Sequence, residues 1–137
     1  MKFNYNLEGR NSYTYKTYRE YIDTLHAQNK TTGNDHSEAM LTYSNMNVTR
    51  MKRLDKTALI RQDLVQVIQA LPPQKWLVLS EAWCGDAAQV VPVIARLAEL
   101  SDNFETEIVL RDENEELMNR HLTNGGKSIP ITVIIDA

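Results

Sequence analysis

The chain has a single cysteine, Cys84, in 137 residues. One thiol cannot close a bridge within the chain, so a disulfide framework is excluded and the composition fits a reducing compartment. The amino terminus is polar and tyrosine-rich. It holds no apolar stretch long enough for a signal peptide or a membrane span, so the cytoplasm is the expected location and a membrane is not an expected partner. Charge of one sign is also missing: 15 Lys and Arg stand against 18 Asp and Glu. Residues 1–60 hold nine basic against six acidic side chains and residues 61–137 six against twelve, too small an asymmetry to argue for nucleic acid. The three histidines are scattered, and without further cysteines no zinc spacing exists. Neither a metal nor a cofactor is expected. Internal repeats and low-complexity segments are absent.

What is present reads as one domain with an appendage. The apolar share, 42 %, is ordinary for a globular chain and supplies a core. Helical spacing of Tyr18, Tyr21, Ile22 and Leu25 predicts a helix over 12–28, ended by Thr31-Thr32-Gly33-Asn34. Asp35 with Glu38 reads as a capping box opening a second helix to about Arg53, with a thin stripe of Leu41, Val48 and Met51. Thr57 is the expected cap of a third helix over 58–71, apolar on the face of Ile60, Leu64, Val67, Ile68 and Leu71 and stopped by Pro72-Pro73. The pattern then alternates. A strand is expected at 76–82, a helix at 86–100, a short strand at 107–110, a helix at 113–122 stopped by Asn124-Gly125-Gly126, and a strand at 131–135. Residues 1–57 are thus read as a helical extension and 58–137 as an α/β domain with its core from about residue 76.

Cys84 falls between the strand and the helix. A thiol at a helix N-terminus faces unpaired backbone N–H groups and the positive end of the helix dipole, both of which favour the thiolate. Asp86 and Glu81 oppose it, and no Lys, Arg or His is adjacent in sequence. The expected activation is therefore weaker than in a strongly oxidising thiol enzyme.

Trp83-Cys84-Gly85-Asp86-Ala87 resembles the Trp-Cys-Gly-Pro-Cys active site of thioredoxins. Pro92, eight residues after Cys84, resembles the proline that kinks their active-site helix, and Ile129-Pro130, forty-six residues after it, the cis-proline that faces their thiol. Arg111-Asp112-Glu113-Asn114 and Leu122-Thr123-Asn124-Gly125-Gly126 are similar to bacterial proteins of that family carrying a Trp-Cys-Gly-Asp motif. The resemblance covers about residues 76 to 137 and implies a thioredoxin-like fold. Against that fold, the last antiparallel strand and closing helix are missing at Ala137. Either the chain is a fragment, or the amino-terminal helices or a second copy of the chain cover the sheet. The 58–71 helix is suited to covering one side.

Two departures bear on chemistry. Ala87 replaces the second cysteine and Asp86 the proline, so no disulfide can close within the motif. The resemblance then implies a monothiol thiol–disulfide oxidoreductase. Cys84 would form a mixed disulfide with a protein or with glutathione, to be resolved by an outside thiol. Trp83, Gly85, Asp86, Ile129 and Pro130 would line the substrate side, with the Ile129 backbone free to pair with an extended segment. A groove that binds peptides without redox turnover is the alternative, and partner docking by residues 1–57 a third. Gly125-Gly126-Lys127-Ser128 resembles the tail of a phosphate loop, but it lacks the upstream glycine and is read as a turn. Arg50-Met51-Lys52-Arg53-Leu54-Asp55-Lys56 is the one basic cluster. It reads as a solvated helix end or as a site for an anionic ligand or acidic partner.

Overall fold

The computed structural model describes residues 7–136. Helix α1 (Tyr15–Ala27) is opened by Thr14, whose side chain accepts the Thr17 N–H. Helix α2 (Glu38–Thr57) is opened by Ser37, whose Oγ accepts the Met40 N–H at 3.4 Å. Ser37, not Asp35, is therefore the cap. Asp35 acts one step earlier by accepting the Ser37 N–H at 2.9 Å. Thr57 caps nothing: it ends α2 and turns its hydroxyl back to the Arg53 carbonyl at 2.8 Å. Helix α3 (Gln62–Gln69) follows Arg61, which makes no side-chain cap bond.

Strand β1 (Gln74–Ser80) is central in a three-stranded sheet of order β2-β1-β3. Helix α4 (Gly85–Ala98) then leads to β2 (Phe104–Leu110), parallel to β1 as a strand–helix–strand crossover requires. This strand starts earlier than its β-branched run suggests. Phe104 stacks on Trp76 with centroids 4.7 Å apart, and Glu105 and Glu107 on the other face meet Lys75, so the polar half is paired too. A 3₁₀ turn (Arg111–Glu113) and helix α5 (Glu115–Asn119) replace the longer helix expected at 113–122. Asn114 breaks it, spending its side chain on the Leu110 carbonyl and on Arg10. Asn124 and Gly125, both at positive φ, close a tight turn between Thr123 and Gly126 before β3 (Ile131–Asp136), antiparallel to β1.

Each sheet face has its own core. Val78, Ile108 and Leu110 pack with Tyr18 and Ile22 of α1, Met51 of α2 and Ala87, Ala88 and Val91 of α4. Leu77, Leu79 and Val109 pack with Leu117 and Met118 of α5 and with Ile129. Helix α3 does not take the covering role expected of it. It buries no residue, and Val67 is 58 % exposed. Only residues 70–73 separate it from β1, whereas α1 and α4 lie on the sheet. On β3, Ile131, Val133 and Ile135 pack inward and Ile134 faces solvent.

Candidate functional site

Strand β1 delivers the chain to Glu81-Ala82-Trp83 at the centre of the sheet, where a turn closes with the Cys84 N–H donating to the Glu81 carbonyl at 3.2 Å. Cys84 has extended backbone and is the N-cap of α4. Its Sγ stands where a capping oxygen usually does, accepting the Ala87 N–H at 3.4 Å. The same sulfur lies 3.6 Å from the carbonyl oxygen of Ile129, to which its S–H can donate. The Ile129–Pro130 peptide bond is cis. The thiol is half-buried and free.

Trp83, Cys84, Gly85, Ile129 and Pro130 therefore meet at one end of the sheet. Trp83 is half-buried, with the Arg111 guanidinium 4.8 Å over its ring. Gly85 is the first residue of α4, and Asp86 is exposed in its first turn. Pro92 is buried inside α4. Ala87, in the place of a second cysteine, is buried in the core and contributes only its N–H to the sulfur.

The amino-terminal helices bring in residues that local sequence reading misses. Buried Asn47 of α2 donates from Nδ2 to the Ala82 carbonyl at 2.9 Å. Its Oδ1 accepts the Arg50 Nη1–H at 2.9 Å, which places that nitrogen 3.2 Å from where a Cβ on Gly85 would stand. A cation thus lies beside the motif, from a helix more than thirty residues earlier. Thr32 accepts the Ala82 N–H at 2.9 Å, so both backbone groups of Ala82 are held by side chains of the amino-terminal part. The only sequence signal was the basic cluster itself.

Glu81 is 1 % exposed, and neither carboxylate oxygen has a well-formed hydrogen bond among the described residues. Burial raises its pKa to about 7, and the charge of Asp112 adds to the rise, while Thr32 and Arg111 offset part of it. Glycine is required at position 33 beside it. Its φ is +81°, and a Cβ would stand 3.0 Å from Asp112 Oδ2, 3.3 Å from Glu81 Oε1 and 3.4 Å from Trp83 Nε1. Behind the turn, the Tyr18 hydroxyl and Ser80 Oγ share a buried hydrogen bond of 2.8 Å. The tyrosine series is used in packing: Tyr13 stacks on Tyr21 at 5.1 Å and Tyr15 donates to Asp55 at 2.7 Å. His26 bonds to Ser44, and His36 accepts the Thr31 N–H.

Among the described residues no group of three or more His, Cys, Asp or Glu is placed to hold a metal ion. No described helix is long and apolar enough to cross a membrane.

The sequence model of the family described as thioredoxin matches residues 33–137. A crystal structure of a protein of unknown function from Pseudomonas aeruginosa is similar, at 18 % identity and TM-score 0.53, over 69 % of this chain and 57 % of that one. The chain thus spans little more than half the length of that protein. An HIV epitope-scaffold is similar at 18 % identity and TM-score 0.55, over 90 % of this chain and 71 % of the scaffold. At such identities the likeness is one of fold. No curated protein matches the chain.

Proposed function

The chain belongs to the thioredoxin family, with that family's α/β fold, and from this premise we propose that Cys84 is the nucleophile of a monothiol thiol–disulfide exchange. The observation that carries the reading is the half-buried sulfur at the mouth of α4, 3.6 Å from the Ile129 carbonyl. The Cys84 thiolate attacks a disulfide of a protein or of glutathione in line, forming a mixed disulfide and expelling the second sulfur as a thiolate. An extended substrate segment would lie along Ile129 and Pro130, with Trp83, Gly85 and Asp86 on its other side. No thiol of this chain can resolve the adduct, because Ala87 carries none. An outside thiol must do so, and the reducing cytoplasm, where we place the protein, supplies one as glutathione. Within the family we group the chain with the bacterial Trp-Cys-Gly-Asp type.

The test is glutathionylation. The native protein incubated with glutathione disulfide should gain one glutathionyl group on Cys84 by mass spectrometry, removable by reduced glutathione and absent in Cys84→Ser. Reduction of an insulin-type substrate without added glutathione should stay at background. A thiol that resists both glutathione disulfide and a neutral alkylating reagent until the protein is unfolded would overturn the redox reading in favour of a peptide-binding groove.

A further inference from the structure

The basic cluster of α2 lies along the first two turns of α4. Arg50 Nη1 is over Gly85, and Arg53 Nη2 bonds Gln89 Oε1 at 3.4 Å. Among the described residues neither arginine has a carboxylate partner. Arg50 is half-buried and held in place by Asn47, which is itself fixed to the Ala82 carbonyl. One of its donors is used on Asn47, and the others meet no acceptor among the described residues. A solvated arginine at a helix end needs no such tether. Asp86, the carboxylate next to Gly85 in sequence, is exposed and makes no ion pair among the described residues.

We infer that Arg50, assisted by Arg53, is the specificity residue that selects small disulfides bearing carboxylates, holding the carboxylate beside Cys84 during attack. The inference rests on the exchange chemistry proposed above and adds the class of substrate. Gly85 belongs to the same device: without a Cβ it leaves the guanidinium room against the helix N-terminus, and a carboxylate there meets both the fork of N–H donors and the positive helix end. With glutathione disulfide the exchange balances as one S–S bond formed at Cys84 and one broken in the substrate. The Cys84 proton goes to solvent and one glutathione thiolate leaves with the electron pair. Arg111, over the Trp83 ring on the other side, is paired with Asp112, so the cations beside the motif without a carboxylate partner among the described residues are those of α2.

The experiment compares an anionic and a neutral reagent on the same thiol: iodoacetate against iodoacetamide, and glutathione disulfide against 2-hydroxyethyl disulfide. Any change in thiol ionisation cancels in each rate ratio. The anionic-to-neutral ratio should fall about three- to tenfold in Arg50→Gln, be largely kept in Arg50→Lys, and fall by a smaller factor in Arg53→Gln. In the unaltered protein, raising salt from low to about 0.5 M should lower the ratio towards that of Arg50→Gln. This arm needs no variant and stands if Arg50→Gln fails to fold. Ratios unchanged by substitution and by salt would overturn the inference while leaving Cys84 a reactive thiol. A Cys84 inert to iodoacetamide would overturn the exchange reading and this inference with it.

Discussion

A carboxyl group that loses its water and is only partly compensated by nearby donors keeps its proton to higher pH, and Glu81 is in that position. Its pKa rises from 4.5 to about 7. Below the unfolded value, both folded and unfolded chains hold the proton and nothing is lost. Between 4.5 and about 7 the unfolded chain releases it first, so the folded state is progressively penalised as pH rises. At about 1.4 kcal/mol per tenfold in proton affinity, the penalty above neutrality is roughly 3 kcal/mol. Glu81→Gln should therefore flatten stability over this window and raise it by about that amount at pH 8, read by denaturant unfolding across pH. A slope identical to that of the unaltered protein would place the titrating group elsewhere. Next to it, Gly33→Ala should cost about 1–3 kcal/mol, because alanine must adopt positive φ and meets Asp112 Oδ2 at 3.0 Å. Neither effect is legible from local pattern. The glycine reads as a helix stop and Glu81 as an ordinary acidic residue near a thiol. The side chains that give them meaning come from distant segments: Asp112 and Glu81 against Gly33, and Thr32 and Asp112 against Glu81. Cys84 is legible at the strand–helix junction that the alternating pattern marks, whereas Ile129 and Pro130 are singled out only by the resemblance to the thioredoxin spacing; the structure puts the Ile129 carbonyl 3.6 Å from the sulfur.

At the scale of elements, existence was easier to read than placement. The α4 and β1 periodicities are strong, and both form near their expected bounds. Helix α3 has an equally clear apolar stripe, yet it remains unburied, since a stripe states that a face is available and not what it will meet. Replacing Leu64 and Val67 together with serine and lysine should change stability by no more than about 1 kcal/mol. Ile22→Ala in α1, which is fully buried, should cost about 2–5 kcal/mol. The reverse order in denaturant unfolding would mean that α3 and not α1 covers the sheet. Helix α2 looked thin in sequence because several of its inward positions are not apolar: buried Ser44 and Asn47 face their partners by hydrogen bonds, which a hydrophobic count does not register. Asn47→Ala should cost about 1–3 kcal/mol, because it leaves the Ala82 carbonyl without its donor and frees Arg50. If the anionic-to-neutral reactivity ratio of Cys84 falls with it, the tether and the selectivity are one device.

For the whole molecule the question is what residues 1–54 do for the sheet. Tyr18, Ile22 and Met51 are each 2 % exposed or less and share a core with Val78, Ile108 and Leu110. Tyr13 exchanges two backbone hydrogen bonds with Ile108, so the amino-terminal segment also meets the outer edge of β2. Removing this part would uncover one face of the sheet, strip α4 of its helical neighbour and leave Ser80 without Tyr18. Burying three such side chains is worth about 1.5–3 kcal/mol each, a sum comparable to the whole stability of a small domain. Deletion of residues 1–54 should therefore give a protein that aggregates or loses its cooperative melting transition, as followed by light scattering and calorimetry. A truncated chain that stayed monomeric with an unchanged transition would show that the sheet holds without α1 and α2. Their remaining role would then be at the site, where Asn47 and Arg50 act. The two outcomes separate because the reactivity ratio can be read in the same sample: loss of the ratio with the fold intact assigns the extension to chemistry, and loss of both assigns it to the core first.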